Sequence, residues 1–321
     1  MIRIVLVLVF AISLPLILKA SDQLFYLSFA SRILITALAA SSLNLVLGYG
    51  GMVSFGHAAF VGTGAYIASI ALAEGIGSAW IGWPTAVLAS GLAALAIGAI
   101  SLRTRGVYFI MITLAFAQMM FYLVNSMKAY GGDEGLTLPA RASLGFGLDL
   151  GDEVTFYYVV LFLLAISLYA FYRLIHSRFG RALVANRENE ARAEALGFPT
   201  LRYKLVAFAI AGAAGGLAGA LLASHGKYVN PNILHWTQSG TLLIMVILGG
   251  VGRLWGGVIG AAALLILEHL ISDYPIAWLA QLAPNYQQYS NLGVGLVMLA
   301  IVLFAPQGIA GLLERRKHAP A

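Results

Sequence analysis

A chain of 321 residues that is 60% hydrophobic and only 10% charged is not an ordinary soluble domain, which carries about 25% charged residues. Its mean hydropathy of +0.88 places it among polytopic membrane proteins. The absence of cysteine excludes disulfides, thiolate metal sites and thiol redox chemistry, and the formal charge of +6 sits beside apolar runs, as positive-inside topology requires, rather than in a nucleic-acid footprint.

A helical span needs roughly 20 apolar residues, and lipid tolerates only closed backbone hydrogen bonding. In chain order the apolar runs are Ile4–Leu18, Ile33–Leu47, Val53–Leu72, Ile81–Leu102, Val107–Val124, Val154–Ile175, Leu205–Ser224, Thr241–Val251, Trp255–Ser272 and Asn291–Phe304. They predict an all-α polytopic fold of about ten transmembrane helices, with residues 1–321 forming a single transmembrane domain. The first run is read as retained, since Leu18-Lys19-Ala20 makes a poor small-x-small cleavage site. Alternating sides puts Arg3, Arg103, Arg105, the Arg173–Lys204 cluster, Arg253 and Arg315–Lys317 on one face. Lys19, Arg32, Lys128, Arg141 and Lys227 are left on the other. The expected orientation is therefore N-in and C-in. Residues 125–153 become an external loop holding Asp133, Glu134, Asp149, Asp152 and Glu153, and residues 176–204 an internal one.

Many of the 36 glycines fall inside spans. Gly212/Gly216, Gly215/Gly219 and Gly252/Gly256/Gly260 have the small-xxx-small spacing that lets helix backbones approach, within one bundle or between subunits. Two clusters, Leu47–Phe60 and Leu248–Gly260, share Leu47/Leu248, Gly48/Gly249, Gly51/Gly252 and Gly56/Gly257 at an offset of 201. The match hints at a weak parallel internal duplication. Each cluster reads either as a tight turn or as a helix break lining a substrate path. His57, just inside the first break, is a hydrogen-bonded structural residue or a substrate ligand.

Ionisable residues are nearly absent from the spans. Arg32 is expected at the outer start of the second, and Glu268 and His269 about one turn from the outer end of the ninth. No Asp or Glu falls at a midplane, which argues against proton coupling. No phosphate-binding Gly-x-x-x-x-Gly-Lys-Ser/Thr loop, His-Glu-x-x-His or Gly-x-Ser-x-Gly motif occurs, so this is not expected to be an enzyme, and no cofactor or metal is expected on the chain.

The long charged segment His176–Lys204 holds a short helix of its own. Asn186 reads as its N-cap, Glu188 and Glu190 suit the first turn, Gly197 fits the C′ position and Pro199 stops continuation. The predicted helix is Arg187–Leu196, about 15 Å long. Ala191 and Ala195 share a small face suited to a partner's cleft, with Arg187, Glu188, Glu190, Arg192 and Glu194 as charged rim. Its mixed charge weakens the alternative of an interfacial helix on anionic lipid.

Three segments, LNLVLGYGGMVSFGHAAFVGTGAY (Leu43–Tyr66), RENEARAEALGFPTLRYKLVAFAIAGAAGGLAGAL (Arg187–Leu221) and VILGGVGRLWGGVIGA (Val246–Ala261), strongly resemble LivM-type permeases of branched-chain amino acid ABC importers. The resemblance runs from about Leu34 to Gln307. It implies a bacterial inner-membrane heterodimer with a LivH-like permease, two cytoplasmic ATPases that use ATP and magnesium, and a periplasmic binding protein. The partners would include membrane lipid but no nucleic acid. It makes 125–153 periplasmic and 176–204 a cytoplasmic coupling loop, with Arg187, Glu188, Glu190, Ala191, Glu194, Ala195 and Gly197 at the ATPase contact. The Glu-Ala-Arg-Ala-Glu-Ala-Leu-Gly spelling departs from the general Glu-Ala-Ala-x-x-x-Gly pattern, so the helix and Gly197 carry the likeness as a unit. Asn44, Ser54, His57, Gln118 and Tyr122, with Gly48, Gly51, Gly56, Gly249 and Gly252, are the expected path residues. Urea and short-amide importers have similar permeases, and an ion-coupled secondary carrier is the remaining alternative.

Overall fold

The computed structural model describes residues 11–16, 18–19, 24–145, 149–273, 293–296, 298–299, 303 and 307–315. Helix α1, Leu24–Asn44, continues as a π-helical turn, Leu45–Tyr49. Then come α2 (His57–Ala73), α3 (Ala79–Ser101), α4 (Val107–Ser126) and α5 (Glu153–Ile175). Two short helices, α6 (Arg178–Glu188) and α7 (Glu190–Ala195), precede α8 (Thr200–Gly226). The chain goes on to α9 (Trp236–Gly249), α10 (Gly256–Asp273) and α11 (Gly308–Arg315). Strands β1 (Leu136–Thr137) and β2 (Tyr228–Val229) pair antiparallel, Leu136 opposite Val229.

Among the described residues, five helices are long and apolar enough to cross a membrane: α1 with its π-turn, α3, α4, α5 and α8. Helices α2, α9 and α10 are apolar but shorter. Eight of the ten expected spans each coincide with one of these helices. The other two, Ile4–Leu18 and Asn291–Phe304, lie about half outside the described residues, and Arg3, Arg316 and Lys317 lie outside them. Residues 11–16 are helical, and their Ala11 and Ile12 carbonyls accept hydrogen bonds from the Tyr157 and Tyr158 hydroxyls of α5 at 2.9 and 3.0 Å.

Contacts sort the loops onto two faces. On one, Arg105 lies 3.5 Å from Glu190 and 3.6 Å from Glu194, and Arg187 donates to the Gly48 carbonyl. On the other, Ser78 pairs with Ser143, Tyr130 donates to Glu74 at 3.3 Å, and β1 joins β2. There Arg141 threads the long loop into the helix ends. Its guanidinium donates to the carbonyls of Ser224 (3.1 Å) and Leu150 (2.9 Å), pairs with Glu153 at 2.5 Å, and lies 4.3 Å from the centre of the Phe156 ring.

Helices α1 and α8 form the middle of the bundle, 67% and 56% buried along their apolar windows against 22% for peripheral α4. Glycine spacing explains how α8 gets there. A Cβ on Gly216 would strike the Ser90 side chain of α3, and one on Gly219 the Val61 carbonyl of α2. The two small-xxx-small pairs thus serve adjoining faces, seating α8 in the groove between α2 and α3 of the same chain. Gly256 and Gly260 likewise admit α10 against the backbone of α9.

Two tests follow from this packing. Gly219→Ala is expected to destabilise the detergent-solubilised protein by about 1–3 kcal/mol, because the overpacked atom is backbone. Gly82→Ala, in open space on α3, should leave the melting temperature level or slightly raised. The second concerns Asp152, the N-cap of α5, which accepts the Thr155 amide at 3.0 Å. That bond holds its carboxyl below the usual aspartate value against the opposing desolvation, aided by the Thr155 hydroxyl and Lys19. A depressed folded-state value means the cap contributes fully above the unfolded value and loses its contribution as pH falls through the folded one. Asp152→Ala should cost about 1 kcal/mol at neutral pH, with the gap from wild type narrowing below about pH 4 in thermal melts.

Candidate translocation path and coupling loop

The chain between α1 and α2 leaves helical geometry inside the bundle. Gly51 turns it with φ +67°, and residues 52–56 run without helical hydrogen bonds until α2 begins at His57. The third expected span, placed at Val53–Leu72, therefore begins later than the sequence implied. Every polar group of such a stretch needs a partner, because lipid offers none. Side chains from distant elements supply them. Thr113 of α4 accepts from the Phe55 amide at 3.3 Å, Ser54 from the Gly56 amide at 3.1 Å, and Ser239 of α9 from the Ala58 amide at 2.8 Å. His57 is fully buried, its Nε2 2.7 Å from the Ser42 hydroxyl, so it ties α2 to α1.

The two glycine clusters meet. Asn44, buried on α1, donates through Nδ2 to the Arg253 carbonyl at 2.7 Å and accepts the Gly252 amide on Oδ1 at 3.0 Å. Gly48 touches Gly252 so closely that a Cβ on Gly48 would overlap the Gly252 backbone. Gly51 and Gly252, equivalent at the offset of 201, both take left-handed φ, +67° and +74°. Gly56 precedes α2, backed by Thr113, and Gly249 closes α9 with its Cα facing the Gly256 carbonyl. Arg187 completes the knot: its guanidinium donates to the Gly48 carbonyl while its aliphatic stem covers Gly51.

The charged segment folds as two helices rather than one. The expected N-cap, Asn186, is buried near the end of α6, and the break falls at Asn189, whose extended backbone (φ −156°) lets Oδ1 accept the Arg192 amide at 2.9 Å. The helix predicted over Arg187–Leu196 is thus only Glu190–Ala195, because Asn189 caps it three residues later. Its end is as expected, with Gly197 at φ +84°.

The charged rim is also different. Glu190 pairs with Lys204 at 2.7 Å and faces Arg105, and Glu194 accepts the Thr200 hydroxyl at 3.0 Å. Those two carboxylates and Arg187 turn back onto their own chain. Glu188, Ala191, Arg192 and Ala195 stay exposed, joined by Leu196 and Phe198, and only Ala193 of this helix is buried.

Not every expected path residue joins this region. Gln118 reaches His235 at 3.3 Å, and Tyr122 is 64% exposed on the outer side of α4, away from the knot. A cavity of about 310 Å³ lies instead where α1, α2, α8, α9 and α10 converge. Each helix presents one face to it, as Thr36 and Ala39 of α1 or Thr241 and Met245 of α9 illustrate. None of the ten expected path residues lines it. Arg32 and Glu268 do, together with Gln238. The sequence signal was the helical spacing of sparse polar residues in apolar runs, obscured by drawing the second span from Ile33. The helix starts at Leu24, so Arg32 lies about 12 Å along it.

These features define a multi-pass helical membrane protein with broken helices meeting in its interior. The chain belongs to the family described as the permease component of branched-chain amino acid transport systems, matched over residues 25–302. It is 31% identical over 292 residues to the high-affinity branched-chain amino acid transport system permease protein LivM of Salmonella typhimurium. The match to the protein of that name in Escherichia coli is 31% over 291 residues. Each alignment covers 83% of this chain and 65% of the relative, so the chain spans just under two thirds of their length. The probable LivM of Methanocaldococcus jannaschii is 26% identical over 309 residues, covering 84% of this chain and 88% of its own. No solved structure matches.

Asn44→Ala leaves the Gly252 amide and Arg253 carbonyl without partners, which should cost about 1–3 kcal/mol. The check is a thermal melt of the purified protein, and an unchanged midpoint would remove Asn44 from the knot.

Proposed function

We propose that this chain is a membrane subunit of an ATP-driven importer, moving branched-chain amino acids across a bacterial inner membrane. A second, LivH-like permease pairs with it. A periplasmic binding protein delivers substrate to the face carrying the 127–152 loop, and two ATPases dock at the face carrying α6 and α7. This chain binds no nucleotide and supplies no catalytic group. The family match supports the transport class, and the LivM relatives support the substrate.

The observation that carries the mechanism is Arg187 reaching the Gly48 carbonyl. It connects an exposed loop directly to the broken helix in the bundle. In this reading α7 is the coupling helix, with Ala191, Ala195, Leu196 and Phe198 presented to the ATPase. ATP-driven motion of α7 displaces Arg187, loosens the Gly48–Gly252 contact and opens the path toward the cytoplasm. Glu190 and Glu194 hold the helix to Lys204 and Arg105 so that it moves with the bundle instead of fraying from it.

The complete importer in proteoliposomes should accumulate L-leucine only with internal ATP and external binding protein. Uptake by this chain alone on an ion gradient would sink the reading. Arg187→Ala is expected to lower uptake roughly tenfold, within the usual range of coupling energies, while the ATPases still co-purify. Gly197→Pro, which cannot adopt the left-handed φ, should cost co-purification itself. Undiminished transport in both variants would place the coupling contact elsewhere.

A further inference from the structure

The cavity among α1, α2, α8, α9 and α10 carries two opposite charges that the knot and the coupling loop do not use. Arg32 and Glu268 both line it, and neither belongs to any of the ion pairs formed among the described residues. Charges within membrane helices are expensive and are retained where they act on a ligand or pathway. Here each sits on a helix with mostly apolar neighbours, Arg32 about 12 Å along α1 from Leu24 and Glu268 five residues before the end of α10.

We propose that this cavity is a transient binding site for a free amino acid as its zwitterion, with Arg32 receiving the carboxylate and Glu268 the ammonium. The inference rests on the permease reading above and gives it a site in this chain. A guanidinium presents a planar fork of donors that matches a carboxylate, and a carboxylate accepts from an ammonium in a charge-assisted bond. Gln238 and Thr241 add neutral polar groups beside the charges. Along the same helices Ile35, Leu242 and Met245 offer apolar surface for an aliphatic side chain. The volume of about 310 Å³ is at the small end of ligand pockets, which run from roughly 300 to 1,000 Å³, and so suits a single amino acid. A neutral urea or amide would satisfy neither charge as a counter-ion, so the charge pair favours a zwitterion over it. Transport needs binding strong enough to admit the ligand and weak enough to release it. Arg32 is exposed and Glu268 half-buried, which keeps both partly hydrated and the hold loose.

The test uses the complete importer in proteoliposomes with L-leucine as the probe, assembly being checked by co-purification of all subunits. Arg32→Gln and Glu268→Gln should each reduce uptake about tenfold, the factor that about 1.4 kcal/mol of lost interaction represents. Glu268→Asp, which keeps the charge, should stay within about twofold of wild type, and Arg32→Lys, which keeps the charge but loses the fork, should fall between Arg32→Gln and wild type. Equal uptake by the neutral and the charge-keeping variants would overturn the site. If assembly fails in the neutral variants, Ala39→Phe fills the cavity from α1 instead, and full leucine uptake in that assembled variant would overturn it equally. A wild-type importer that moves no amino acid refutes the permease reading itself, an outcome separate from any variant.

Discussion

Everything distinctive in this molecule follows from one constraint: a backbone that leaves helical geometry inside a membrane must find its hydrogen-bond partners within the protein. The segment from Gly50 to Gly56 does this with groups drawn from far along the chain. Thr113, Ser239, Asn44 and Arg187 come from α4, α9, α1 and α6, and each closes part of the break or its neighbour. A broken helix thus becomes the point at which otherwise parallel elements are cross-linked. The bundle is held by apolar packing, but its registration is set by these few polar contacts.

Glycine is the counterpart of that polarity. At Gly219, Gly256 and Gly260 it lets one backbone rest on another, and at Gly51 and Gly252 it supplies a left-handed turn that side chains with a Cβ adopt only at a cost. The small-xxx-small spacing and the left-handed turns are separate uses of one residue. In the 248–260 cluster they follow each other within a few positions. This is why the cluster looks so dense in sequence.

The fold was largely legible because an apolar run of span length has only one conformation open to it in lipid. Helix ends were less so: Val53 to Gly56 is as apolar as a helix start, yet the turn at Gly51 and the hydrogen bond that Ser54 accepts from the Gly56 amide keep it out of the helix. The charged segment was legible as a helix closed by Gly197, but Asn186 and Asn189 are chemically identical caps, and only the burial of Asn186 against Thr200 decides between them. The knot was half legible. Asn44, Gly48 and Gly252 stood out by composition, whereas their mutual contact is a fact of packing. The cavity was not legible, since its lining comes one or two residues at a time from five helices. Tyr122 shows the converse, a polar ring that composition singles out and that the structure places on an exposed face of α4.

The two carboxylates of α7 are tied to different bodies. Glu190 and Glu194 hold Arg105, in the turn joining α3 to α4, and also Lys204 and Thr200 at the start of α8. The short helix therefore behaves like the crossbar of a yoke. A push on it cannot tilt α8 alone; the α3–α4 corner is dragged along the same stroke, so one displacement is shared between two arms that are themselves packed together.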